Sequence, residues 1–157
     1  MINTYHKLKY LKTLLIDDDR FVRNSMELAF TQKGYPLRVV NTAEEGLRAL
    51  EQEAFDIIIS DYRLPGINGL EFFRQAISRN RNTVTVLISA GGDHNAIATA
   101  YSIGINDYLP KPFTLDALWA TLVMHAERSI AGDQQVTSLQ SRDQVPVEIS
   151  WPLSRCC

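Results

Sequence analysis

Short apolar and β-branched runs alternate along this chain with stretches of helical period. The runs are "KTLLI", "LRVVN", "FDIIIS", "TVTVLIS" and the shorter "DYLP", each of strand length and bounded by polar or turn-forming residues. Between the first two, Phe21, Ser25 and Leu28 fall on one helical face and Val22, Met26 and Ala29 on another. Gly34 and Pro36 then end that helix, through a left-handed cap and a missing N–H donor. Thr42 with Glu45 three residues on forms a capping box, after which Ala43, Leu47, Leu50 and Ala54 repeat on one stripe. Leu70, Phe73 and Ile77 mark a third helix, and Ile97, Ala100 and Tyr101 a fourth that stops at Gly104. Leu115, Leu118, Leu122 and Ala126 mark a fifth, opened by Thr114, with Phe113 placed to staple onto Leu118.

Five strand–helix alternations without a Gly-rich hairpin predict an α/β fold with a parallel sheet, because each parallel connection needs a crossover helix. Helices then cover both faces, and the uniformly apolar "IIIS" belongs to a central strand. Beyond residue 128 the chain turns polar, rich in Gln and Ser, with no sustained period apart from a short strand pattern at residues 145–149. The expected organisation is an N-terminal extension over residues 1–11, one folded domain over 12–128 and a polar tail over 129–157.

At 157 residues and 45% hydrophobic content, the chain can bury one sizeable core. A formal net charge of −2 leaves no excess of cations to neutralise phosphates, which argues against nucleic acid as a direct partner. The only early apolar run, residues 14–16, is too short for a signal-peptide core or a membrane span, so a cytoplasmic location is expected. Cys156 and Cys157 are adjacent at the end of the chain and read as neither a disulfide nor a metal site.

The predicted sheet gives the acidic residues a location. In an open parallel sheet, functional groups collect beyond the carboxyl ends of the strands. Asp17 and Asp18 end the first strand, Asp61 the third and Ser89 the fourth, and Lys111 follows the fifth, so all five converge on one rim. Two carboxylates 4 Å apart repel by roughly 4 kcal/mol even at an effective dielectric of 20. A cation must therefore sit among them, and a hard divalent ion with oxygen ligands, Mg²⁺ above all, suits the donor set. His6, His94 and His125 are scattered and lack zinc-ligand spacing.

Bland readings cover the neighbouring residues. Asp19 reads as the cap of the first helix, Asp56 as a turn residue, and His125 as a helix residue with no assigned task. Pro65, Gly66 and Gly69 shape the loop after Asp61, Gly91 and Gly92 make the next loop mobile or give it a tight turn, Trp119 is packing, and Trp151 docks the tail or leaves it loose.

The stretches "LLIDDDR", "IIISDYRLPGINGLEFF", "VLISAGG" and "GINDYLPKPF" together resemble, in order, the four motif regions of the receiver domain of two-component response regulators. The resemblance spans residues 12–128. It implies a flavodoxin-like, doubly wound five-stranded parallel sheet with helices on both faces. It further implies that Asp61 accepts a phosphoryl group from the phosphohistidine of a sensor histidine kinase or histidine phosphotransfer protein. Asp17, Asp18, Asp61 and the backbone carbonyl of Arg63 would hold Mg²⁺. Lys111 would clamp a phosphoryl oxygen, Ser89 would bind another, and Pro112 would follow Lys111 in a cis step. Ser89 and Tyr108 would form the switch pair that remodels the surface of the fourth helix, fifth strand and fifth helix, for an unidentified protein output partner or a homodimer.

Without the resemblance, Tyr108 reads equally as an ordinary strand aromatic. Arg63 and Gly91 stand two residues beyond Asp61 and Ser89, where side chains tune hydrolysis in the family, so the phosphoryl lifetime is not fixed by the sequence. The leading reading is a stand-alone phosphoacceptor switch rather than a metabolic enzyme. The alternative is a phosphorelay carrier or phosphate sink that hands its group to a histidine phosphotransfer protein. A phosphohydrolase built on Asp17 and Asp19 would leave "DYRLPG" and "KPF" unexplained, and a fragment that has lost an effector domain is a further reading.

Overall fold

The computed structural model describes residues 4–80, 82–91 and 94–140, with side chains described as far as residue 128. Gly92, the pattern at 145–149, Trp151, Cys156 and Cys157 lie outside the described residues. The elements run α1 (Thr4–Leu8), β1 (Thr13–Ile16), α2 (Arg20–Lys33), β2 (Leu37–Val40), α3 (Ala43–Gln52) and β3 (Ile57–Asp61). They continue through α4 (Gly69–Arg79), β4 (Val84–Ala90), α5 (His94–Ser102), β5 (Asp107–Lys111) and α6 (Leu115–Gln140). All strand pairs are parallel, in the order β2-β1-β3-β4-β5. The sheet is thus the doubly wound, flavodoxin-like one that the pattern predicts, with β3 at its centre.

Strand alternation divides the core in two. Leu15, Ile57, Ile59, Val86 and Ile88 point to one face, where Met26, Ala29 and Phe30 of α2 and Leu118, Trp119 and Leu122 of α6 cover them. Leu14, Ile16, Ile58 and Leu87 point to the other, under Ala43 and Ala49 of α3, Phe72 and Phe73 of α4, and Ala96 and Ala100 of α5. With both faces covered, the strands are apolar at consecutive positions instead of alternating with polar residues.

The structure adds detail that the pattern left open and shifts one stripe. Phe21 and Leu28 are 83% and 60% exposed, so the face they share with Ser25 is the solvent face of α2. The buried face carries Met26, Ala29 and Phe30. In α3 the buried stripe is Ala43, Gly46 and Ala49, with Leu47 and Leu50 at its margins and Ala54 exposed past the helix end. The small residues lie innermost because α3 crosses close to Phe72, whose ring an added Cβ at Gly46 would meet at 2.9 Å. The N-terminal extension contains α1, with Leu8 buried in the α2–α6 core and Tyr35 Oη donating to Tyr5 O at 3.0 Å. Backbone helix also continues twelve residues past Arg128, to Gln140.

Capping follows the sequence closely. Asp19 accepts from Phe21 N–H at 2.8 Å, and Thr42 Oγ1 accepts from Glu45 N–H at 3.2 Å. The reciprocal bond of the second cap is shifted by one residue, because Glu45 Oε2 accepts from Asn41 N–H at 2.7 Å. Replacing Thr42 by alanine orphans a first-turn donor and should cost about 1 kcal/mol in denaturant titration.

Candidate functional site

Register alone assembles the rim. Ile16 pairs with Ser60, so the next residues, Asp17 and Asp61, stand side by side at the ends of β1 and β3. Asp61 pairs with Ile88, which puts Ser89 one step beyond it on β4, and Ala90 pairs with Lys111 on β5. The strand order reverses between β1 and β3, the point where open α/β sheets leave a crevice for ligands.

Asp17, Asp18 and Asp61 each offer a carboxylate oxygen, and these oxygens lie within 4.8 Å of one another. Asp17 is fully buried and Asp61 is 7% exposed, whereas Asp18 faces solvent. The Lys111 ammonium bridges the two buried acids, 3.1 Å from Asp17 Oδ2 and 3.3 Å from Asp61 Oδ1. Asp17 Oδ1 accepts from Asp19 N–H at 2.8 Å, which fixes the carboxylate against the start of α2. Ser89 is buried, its Oγ donating to Ala90 O at 3.3 Å. Tyr108 is half-buried against the α3–α4–α5 core, and its hydroxyl reaches Ser89 O at 3.5 Å, a length that makes the contact weak. Arg63 lies exposed in the loop after β3, and the Lys111–Pro112 peptide is cis.

Burial pushes the Asp61 carboxyl above its ordinary value, Lys111 draws it back, and the charges of Asp17 and Asp18 add to the rise. Burial alone would lower Lys111, but attraction to Asp17 and Asp61 outweighs it and holds the ammonium above the usual lysine value. One lysine thus serves two buried carboxylates with a third acid alongside, and the cluster remains short of positive charge. Three hard oxygen donors at this spacing fit a divalent cation such as Mg²⁺, with Asp17, Asp18 and Asp61 to hold it. Mg²⁺ at about a hundred times its dissociation constant should stabilise the fold by about 2.7 kcal/mol. Calorimetry would show this as a raised Tm that a chelator reverses; an unchanged Tm would contradict a cation site.

The loop between Asp61 and α4 is held by backbone proximity. Gly66 takes a φ of 77°, and a Cβ on Gly69 would stand 2.3 Å from Asp61 O and 3.0 Å from Tyr62 Cα. Gly69 N–H donates to Tyr62 O at 2.9 Å, so α4 starts in direct contact with the residue that follows β3.

Two participants escape the sequence reading. Arg23 Nη1 donates to Asp17 O at 2.9 Å, securing the β1–α2 turn. Its signal was a cation in the first turn of a helix, where the dipole disfavours positive charge unless a partner is near. His125 is 7% exposed and its Nε2 lies 2.8 Å from Asp107 Oδ2. Leu118, Leu122 and His125 share the i, i+4, i+7 stripe that faces the core, which could have marked it as buried.

The family model of the response regulator receiver domain matches residues 13–123. Transcriptional activator protein PfeR of Pseudomonas aeruginosa is 35% identical over 107 residues, 68% of this chain and 35% of that protein. The DNA-binding transcriptional regulator NtrC of Klebsiella pneumoniae is 35% identical over 102 residues, 65% of this chain and 22% of that protein. The chain therefore spans about a third or less of the length of these relatives. A response regulator receiver domain protein from Methanospirillum hungatei JF-1 superposes with a TM-score of 0.74 at 24% identity, covering 78% of this chain and 98% of that one, which speaks to the fold. Among the described residues, no helix is long and apolar enough to cross a membrane.

Proposed function

This chain belongs to the response regulator receiver domain family, and from that premise we propose that Asp61 is its phosphoacceptor and that residues 12–128 form the working receiver. The observation that carries the reading is the Lys111 bridge between Asp17 and Asp61, inside a ring of three carboxylates at the carboxyl end of the sheet. In the reaction, a carboxylate oxygen of Asp61 attacks the phosphorus of a phosphohistidine. The new P–O bond forms as the P–N bond breaks, and the departing imidazole takes up a proton. When bound, Mg²⁺ supplies charge neutralisation for the incoming phosphoryl group.

Asp17, Asp18, Asp61 and the Arg63 carbonyl would hold that ion. Lys111 lies close enough to Asp61 to exchange its carboxylate contact for a phosphoryl oxygen as a point charge. The Ser89 hydroxyl, spending one bond of 3.3 Å on a neighbouring carbonyl, can turn to another phosphoryl oxygen. Movement of Ser89 toward that oxygen vacates space into which the Tyr108 ring turns, giving up its long contact with the Ser89 carbonyl and shifting the population of the α5–β5–α6 surface for a protein partner or a second copy of this chain. Because α1 precedes β1 here, this is the face of the fourth helix, fifth strand and fifth helix expected from the sequence. The phosphoryl donor is a sensor histidine kinase or a histidine phosphotransfer protein.

Incubation with a small acyl phosphate tests the chemistry. The expected product carries one PO₃ unit, forms only with a divalent cation and is cleaved by hydroxylamine, as an acyl phosphate must be. Uptake that persists in chelator, or resists hydroxylamine, would overturn the reading. In Tyr108→Ala, uptake should persist while the response of the α5–β5–α6 face is lost; an intact response would favour a carrier or phosphate sink.

A further inference from the structure

Among the described residues, His125 is the buried titratable group that the phosphoacceptor chemistry does not use. Its Nε2 lies 2.8 Å from Asp107 Oδ2, and since an ionised carboxylate can only accept, that nitrogen carries the proton. The other oxygen of Asp107 accepts from Tyr108 N–H at 2.7 Å and from Tyr101 Oη at 3.4 Å. One carboxylate therefore joins α6, β5 and α5, and it does so at the residue preceding Tyr108. β5 is an edge strand, paired only with β4, so its outer side gains no support from a second ladder.

The two links differ in strength. The His125 link is short, charge-assisted and closed off, its side chain being 8% exposed. The Tyr101 link is long, and Tyr101 is 50% exposed. A movement of Tyr108 that pulls on Asp107 will stretch the weaker link first.

We propose that His125 is a positioning residue of the switch, fastening the start of β5 to α6 through Asp107, so that a turn of Tyr108 loosens the Tyr101 link and frees α5 while α6 stays fixed. The proposal rests on the reading of Asp61 and Tyr108 given above. It makes α6 the anchored side of the output face and α5 the responsive side.

Amide hydrogen exchange on the full chain, in wild type, His125→Gln and His125→Leu, tests it. Glutamine keeps a donor, and leucine keeps bulk without one. In the unmodified protein, exchange at the Tyr108 amide should rise roughly tenfold in His125→Leu, about what one hydrogen bond to a charged group is worth, and stay near wild type in His125→Gln. After treatment with acyl phosphate and Mg²⁺, exchange should change in α5 but not across residues 118–126 of α6 in wild type, and should spread to α6 in His125→Leu. PO₃ uptake should be equal in all three. Equal exchange in His125→Leu and wild type, loss of protection in His125→Gln matching that in His125→Leu, or a response of wild-type α6 as large as that of α5 would each overturn the proposal. The first comparison needs no modification of Asp61, so a failure of the acceptor reading, seen as absence of PO₃ on wild type, is recorded separately.

Discussion

Asp61→Asn should take up no PO₃ from an acyl phosphate, yet be more heat-stable than wild type in the presence of chelator. The first result follows because an amide has no carboxylate oxygen to attack phosphorus, and neither Asp17 nor Asp18 ends the central strand beside Ser89 of β4. The second comes from the electrostatics. Burial holds the carboxyl of folded Asp61 above its ordinary value, so the folded state binds that proton more tightly than the unfolded chain. Stability is therefore lost as pH rises from the ordinary carboxylate value through the raised one, and at neutral pH the ionised side chain is a net cost. Asparagine removes the cost and flattens that part of the stability–pH curve. It also removes a cation ligand, so the rise in Tm on adding Mg²⁺ should shrink. Thermal melts across acid to neutral pH, with and without Mg²⁺, check all three effects; a variant less stable than wild type at neutral pH in chelator would contradict the electrostatic account.

Gly69→Ala should be the most damaging single-methyl change near the site. Its Cβ would stand 2.3 Å from Asp61 O and 3.0 Å from Tyr62 Cα, both backbone atoms that no rotamer change can move. Relief requires α4 to back away from β3, which opens the contact that buries Phe72 and Phe73 and breaks the Gly69 N–H bond to Tyr62 O. The cost should be at least about 3 kcal/mol, the upper range for overpacking. Since Asp61 is the residue pushed aside, Mg²⁺ affinity should fall along with stability. Denaturant titration and a calorimetric Mg²⁺ titration measure the two. Alanine at Gly66, by contrast, meets Glu44 Oε1 at 2.8 Å, the end of a flexible side chain, and its main penalty is the positive φ.

The sheet and the rim were legible in the sequence because both depend on short-range pattern. Four of the five apolar runs lead into Asp17, Asp61, Ser89 and Lys111, which places those side chains at one end of any parallel sheet, and the observed registers bring Asp17, Asp61 and Lys111 into contact. What escaped depends on tertiary context. α1 is five residues long, too short to be stable alone, and it exists by virtue of Leu8 in the core. The continuation of α6 to Gln140 needs no apolar stripe, since extending a helix that is already packed adds one hydrogen bond per residue. The choice between the two faces of α2 also escaped, because spacing alone favours neither stripe, and only the packed structure leaves Phe21 exposed in the first turn while Met26 and Ala29 are buried. The pairing of His125 with Asp107 joins residues eighteen apart on different elements, and only the packed structure could reveal it.

Peptide mapping of the modified residue tests the central claim most directly. After incubation of the full chain with Mg²⁺ and a small acyl phosphate, mass spectrometry should locate a single PO₃ unit on Asp61, and none in Asp61→Asn. A label on any other residue of the wild type, or one that survives the substitution, would contradict the account.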